Sequence, residues 1–311
     1  MSILAISIGA SAASDLAASA ARLATPIGFV ALGETFGEAA GIINIGLEGV
    51  MLGSALTGAW AAAESGSVLV GFLVAMLTGM GLLGVMAVLC IGLRANQIVV
   101  GLGMNLVALG ATTLVFKSVR TVALAPGLDP LRLGFLDDIP FLGPAFFRQR
   151  LTFFALLVLT AASAFVLRRT AWGLRVRAVG ETPAAADAAG VRVDGVRVQA
   201  MLVCGALAGL GGAALSIGEL RGFTENMVAG KGFIALAAVI FGRWRPWAVL
   251  AACGVFGLAD ALQGQLPAWQ VNFPPSVLRM LPYLIALVAL AVQRGRARPP
   301  AALSIPYERR R

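Results

Sequence analysis

The chain has 311 residues, 59% of them hydrophobic and 13% charged, with a mean hydropathy of +0.89 and a formal net charge of +9. A water-soluble domain of that size needs a largely polar exterior and a charged content of about a quarter, so the composition excludes a soluble globular protein and implies an integral membrane protein. The arginines fall in short runs between apolar segments, which is the distribution of a topology signal and not of a nucleic-acid surface.

Taken in order, residues 1–32 carry no basic group ahead of their apolar part. They read as retained: a short amphipathic or peripheral segment over 1–21, then a first span. Because about 20 apolar residues cross a hydrocarbon core of about 30 Å, the gaps between charges locate the spans. Clear uncharged runs are 65–93, 95–116, 151–167 and 198–218, and shorter candidates are 25–32, 51–63, 233–241, 247–262 and 277–292. The pattern predicts an all-α, polytopic helical membrane bundle of about eight or nine segments, some broken or short. It forms one transmembrane domain over 1–293, followed by a basic cytoplasmic tail over 294–311.

Orientation follows from the basic residues. Placing 168–197 and the C-terminal tail inside gives 15 basic residues on the cytoplasmic side and 9 outside, five of the latter in the long 117–150 loop. The stretch 33–49, GETFGEAAGIINIGLEG, holds three acids, five glycines and no basic residue. Glu34, Glu38 and Glu48 would be costly against lipid, so this stretch is either a cytoplasmic turn or a helix break whose backbone lines a cavity. Gly101, Gly103, Gly110, Gly205, Gly209, Gly211 and Gly212 lie inside spans, where small residues allow close helix packing.

The chemistry available is narrow. There is no His, and Cys90, Cys204 and Cys253 show neither pairing nor ligand spacing, so no catalytic residue and no metal site is predicted. The Gly230-Lys231-Gly232 sequence is not a phosphate-binding loop, because Glu225 and Gly232 stand where a glycine and a Ser or Thr are needed. The chain therefore binds no nucleotide cofactor of its own, and any ATP chemistry belongs to another subunit. Polar residues in or beside apolar runs either bond neighbouring helices or meet a solute. The pathway candidates are Asn44, Glu48, Asn96, Gln97, Asn105 and Asn226. An amide both donates and accepts, which suits a neutral polyhydroxylated solute.

The longest basic polar interruption is 168–197. Within it Thr182 can cap a helix, Pro183 suits the first helical position, and Gly190 can end it after PAAADAA. So short a helix does not hold by itself in water. Its small side chains and its one acid, Asp187, read as a docking element, with the surrounding arginines as topology signals.

Four blocks in this order, GIINIGLEGVMLGSAL, GLRVRAVGETPAAADAAGVRV, GALAGLGGA and GKGFIALAAVIFGRWRP, resemble the membrane subunits of ABC importers. The resemblance is to the branched-chain amino acid and ribose permease superfamily, nearest its nucleoside and simple-sugar branch, and covers about residues 25–293. It implies a multi-pass permease of the bacterial inner membrane that pairs with a second permease, docks ATPase subunits carrying ATP and Mg²⁺, and receives solute from an extracytoplasmic binding protein. By the same resemblance 181–191 takes the coupling position, through Glu181, Thr182, Pro183, Ala186, Asp187, Gly190 and Val191. Gly41, Asn44, Gly46, Glu48 and Gly49 match a block at a helix break near the pathway. A branched-chain amino acid permease is the alternative within this class, and an ion-coupled secondary transporter the alternative outside it.

Overall fold

Long runs of Ala, Leu, Gly, Met and Val cannot leave backbone groups unpaired in hydrocarbon, and a helix pairs them within the segment. The computed structural model of the chain describes residues 2–118, 126–131, 143–266, 280, 284 and 298–308, and among these there are ten α-helices and no strand. They are α1 (Ser2–Ala39), α2 (Leu47–Ser65), α3 (Val68–Ala87), α4 (Gln97–Ser118), α5 (Leu151–Arg169), α6 (Ala171–Glu181), α7 (Pro183–Ala188), α8 (Val193–Ala213), α9 (Lys231–Phe241) and α10 (Pro246–Gln265). Wider helical turns prolong α3 over Val88–Gly92 and α8 over Ala214–Leu220.

Among the described residues six stretches are long and apolar enough to cross a membrane: Ala12–Ala39, Val68–Gly92, Gln97–Ser118, Leu151–Arg169, Val193–Leu220 and Pro246–Gln265. The α8 span is the hub, 78% buried and packed against α1, α2 and α3; the α4 span is only 17% buried and forms an edge. Close approach sets the α3–α8 crossing. A Cβ on Gly205 would stand 2.8 Å from the Gly79 carbonyl carbon, and one on Gly209 would stand 2.9 Å from the Ala75 carbonyl carbon. Gly103 and Gly110, expected to pack likewise, meet nothing within 4 Å.

Three boundaries differ from the sequence reading. The helix runs unbroken from Ser2 through 25–32 to Ala39, so no separate peripheral segment precedes the first span, which begins near Ala12. Gly33 and Gly37 do not break it: a Cβ on Gly33 would stand 2.8 Å from the Cys204 carbonyl, so that glycine serves packing. The runs 51–63 and 233–241 form α2 and α9, neither among the six long spans, whereas 277–292 lies, but for Met280 and Leu284, outside the described residues.

Candidate functional site

Beyond Ala39 the chain leaves the helix for residues 40–46, Gly41 turns into the left-handed region at φ 87°, and α2 starts at Leu47. Ala40, Ile42 and Asn44 are buried, so the freed backbone groups need partners inside the protein. Side chains supply them. Glu34 Oε1 accepts from Asn44 N at 2.8 Å, Gln97 Oε1 from Ile43 N at 3.0 Å, and Asn44 Oδ1 from Gly46 N at 2.8 Å. From α4, Asn105 accepts from Gly49 N at 2.7 Å and donates to the Ile45 carbonyl at 2.9 Å. Of the two readings left open, the stretch is a buried helix break.

A second break faces it. Asn226, Ala229 and Gly230 all have positive φ, and α9 begins at Lys231. Eleven residues make α9 about 16 Å long, half the hydrocarbon thickness. Its C-terminal end runs into the GRWRPW turn at Gly242, so its N-terminal end lies about 16 Å away from that turn. There the first turns of α2 and α9 meet: Glu48 Oε1 accepts from Gly230 N at 2.7 Å and Oε2 from Gly232 N at 2.8 Å. A Cβ on residue 232 would come 2.5 Å from Glu48 N, so only glycine permits the approach. Beside it Lys231 Nζ lies 3.9 Å from Asp260 Oδ2 of α10.

Two helix N-termini directed at one locus create a region of positive potential, and Glu48 balances it. Asn44 Nδ2 and Gln97 Nε2 are buried and have no oxygen partner, leaving donor capacity at the break. From Gly49 an apolar cavity of about 630 Å³ extends between α2, α3 and α4, its polar lining confined to Thr57, Thr78 and Thr112. The size falls within the range of small-molecule sites.

Asn44, Glu48, Gln97 and Asn105 thus come together. Asn96 does not join them; its Oδ1 accepts from Ile98 N and Val99 N and caps α4 at an exposed end. Asn226 lies exposed on the loop leading to α9. Glu34 and Glu38, noted only as costly, are buried struts: Glu34 also accepts from Cys204 Sγ at 3.4 Å, and Glu38 accepts from Trp244 Nε1 in the α9–α10 turn. Their spacing of four, which puts both carboxylates on one helix face, was the available signal.

In the basic 168–197 region, α7 closes with Val191 N bonded to the Ala186 carbonyl and Gly190 N to the Asp187 carbonyl, with Gly190 at φ 83°. Thr182 occupies the capping position without a side-chain cap bond, so the start of α7 rests on Pro183. Ala186 faces inward, packing in the cluster that holds Val176, Val179 and Val196. Asp187 is not a free exposed acid, since its Oδ2 accepts from Tyr307 OH at 3.0 Å. Exposure falls on Ala184, Ala185, Ala188 and Ala189, beside Glu181, Thr182 and Gly190; Pro183 and Val191 are half-buried. A groove of about 860 Å³ adjoins them, walled by Trp172, Arg175 and Arg192.

Residues 298–308 strap this region to the first break. Ala302 N donates to the Gly180 carbonyl at 2.8 Å and Ser304 N to the Gly41 carbonyl at 3.0 Å. Arg197 also has a structural role: it is 2% exposed, and donates to the carbonyls of Ala40 at 3.2 Å and Ile305 at 3.1 Å. Arg94 and Glu308 add an ion pair at 2.9 Å.

Comparison with known proteins bears on this arrangement. Residues 16–290 match the family model described as "Branched-chain amino acid transport system / permease component". Over 297 residues the chain is 36% identical to NupQ of Bacillus subtilis, a guanosine ABC transporter permease protein, covering 91% of this chain and 93% of that one. It is also 36% identical over 296 residues to NupC of Lactococcus lactis, a nucleoside ABC transporter permease protein, with the same coverage. TsgC13 of Haloferax volcanii, an ABC transporter permease provisionally named for glucose, is 36% identical over 315 residues, covering 93% and 95%. No solved structure matches the chain.

Proposed function

The chain belongs to the branched-chain amino acid transport system permease family, and on that premise we propose that it is the membrane-spanning permease subunit of an ATP-driven importer whose solute is a nucleoside, with a simple sugar as the alternative. It is a multi-pass membrane protein with six apolar, span-length helices among the described residues, and the family implies an ATPase, a paired permease and a binding protein as partners. Within that frame the chain is a non-catalytic subunit of a bacterial inner membrane, ATP and Mg²⁺ bind on the ATPase subunit, and the second permease is a paralogous chain.

The observation that carries the reading is the meeting of α2 and α9 at Glu48, with Asn44 and Asn105 in the same shell. Discontinuous helices whose N-termini converge near the bilayer midplane are where transporters bind solutes. A leucine-like zwitterion would demand free groups of both signs, whereas Glu48 is held by two backbone N–H groups and Lys231 is paired with Asp260. A nucleoside's planar base suits an apolar cavity whose polar side chains are the hydroxyls of Thr57, Thr78 and Thr112.

Coupling follows a short route. The exposed alanine face of α7 fits a cleft on an ATPase, and Gly180, at the end of α6 beside α7, accepts from the strap that also holds Gly41. Closure of the ATPase dimer pulls α7, and α6 and the strap transmit the shift to residues 40–46. Such a shift changes access only if the ATPase binds the two permease states unequally. Calorimetry on the cognate binding protein tests the solute: affinity for guanosine with none for leucine is expected, and affinity for leucine alone would overturn it.

A further inference from the structure

We propose that the cytoplasmic end of the α5–α10 seam is a binding site for the headgroup of an anionic phospholipid. A pocket of about 690 Å³ there is lined by Arg168, Arg177, Arg243, Arg245 and Arg298, with Glu181 the single acid. Among the described residues none of the five arginines forms an ion pair, although six pairs form elsewhere. Glu181 is turned to the backbone, accepting from Ala301 N at 3.4 Å. Five guanidinium groups converging on one cavity from α5, α6, the α9–α10 turn and the strap exceed what positive-inside topology requires, and their planar donors suit phosphate oxygens.

The α9–α10 turn is shaped for this. Arg243 and Trp244 both adopt left-handed backbone, at φ 51° and 55°, a conformation non-glycine residues rarely take, and the bond from Trp244 to Glu38 anchors the turn. Arg243 and Arg245 thereby flank the anchored indole and line the pocket together.

What stands beside the pocket favours a lipid over an acidic protein segment. On α5, Arg168 continues directly into an exposed apolar stripe through Phe165 and Val158. On α10, Trp247 begins a second stripe through Val255 and Leu258, two residues past Arg245. Both helices are candidate spans and touch one another, so a phosphate in the pocket would have acyl surface beside it. Basic pockets between spans on the cytoplasmic side are suited to phospholipid headgroups. The inference needs the sidedness of the chain, and not the identity of its solute.

The test is native mass spectrometry of the purified full chain in uncharged detergent, titrated with phosphatidylglycerol and, separately, phosphatidylcholine. The expected result is one phosphatidylglycerol bound at least about tenfold more tightly than phosphatidylcholine. That preference should vanish in the Arg168→Gln/Arg243→Gln/Arg245→Gln variant and persist in Arg175→Gln/Arg192→Gln, which removes two exposed cytoplasmic arginines outside the pocket. The triple Arg→Lys variant keeps the charge and should keep a preference for phosphatidylglycerol, separating loss of charge from loss of fold. Equal preference in wild type and the triple glutamine variant overturns the proposal. So does full displacement by millimolar inorganic phosphate, which would make the pocket a free-phosphate site. Loss of ATPase co-purification with unchanged lipid preference would assign the pocket to the protein partner and overturn it equally.

Discussion

Replacing Glu48 by glutamine isolates the bond that joins the two half-helices. The carboxylate offers one oxygen to Gly230 N at 2.7 Å and the other to Gly232 N at 2.8 Å, from the first turn of α2 to the first turn of α9. Glutamine fills the same space but has one acceptor oxygen, so its NH₂ group must face one of the two N–H donors. Hydrogen bonds to a charged group contribute about 1.5–3 kcal/mol, and a buried donor left unpaired costs about 1–3 kcal/mol. Since the lost bond and the orphaned donor describe one event in part, the expected destabilisation is about 2–4 kcal/mol. The assay is thermal unfolding in detergent, followed by size-exclusion fluorescence, alongside uptake in proteoliposomes. Glu48→Gln should lower both the midpoint and the uptake. Glu64→Gln, at the exposed far end of α2 where Glu64 accepts only a 3.4 Å bond from Trp60, should change neither. A Glu48→Gln protein with wild-type midpoint and uptake would refute the reasoning.

Deleting Pro183–Ala189 should abolish co-purification of the ATPase subunit while membrane insertion persists, and Ala185→Trp should weaken it through bulk on the exposed face alone. Arg197→Gln removes a buried guanidinium from the Ala40 and Ile305 carbonyls, so about 1.5–3 kcal/mol of stability should go, read as a lower unfolding midpoint. Gly209→Leu forces a side chain into the α3 backbone and should reduce the yield of monodisperse protein, with overpacking costing about 1–3 kcal/mol or more. Asn105→Ala should lower uptake more than Asn96→Ala, because Asn105 holds both sides of the break and Asn96 caps only α4; equal effects in transport assays would remove Asn105 from the site.

The spans were legible because lipid imposes a length and forbids charge, which is why the runs 151–167 and 247–262 fall inside helices α5 and α10, and 95–116 falls in α4 but for its first two residues. The break was legible as a stretch but not to the residue. Glycine serves both turns and close packing, and Gly33 proved to be packing while Gly41 turns the chain. Four pathway candidates converge because intramembrane polar groups must find partners, yet which partner each finds depends on pairs far apart in sequence: Glu48 with Gly230, Glu38 with Trp244. Nothing local in 298–308 announces that Tyr307 meets Asp187 or that Ser304 meets Gly41. Arg197 was hidden by its company, one arginine among six in a basic loop, distinguished only by burial.

The central claim is that this chain carries solute inward on the work of a separate ATPase. Proteoliposomes containing the chain, its cognate permease and ATPase subunits, and the binding protein should accumulate labelled guanosine only when ATP is present. Accumulation should stop when the ATPase is omitted or Pro183–Ala189 is deleted. Uptake by this chain alone, driven by an ion gradient without ATP, would contradict the account.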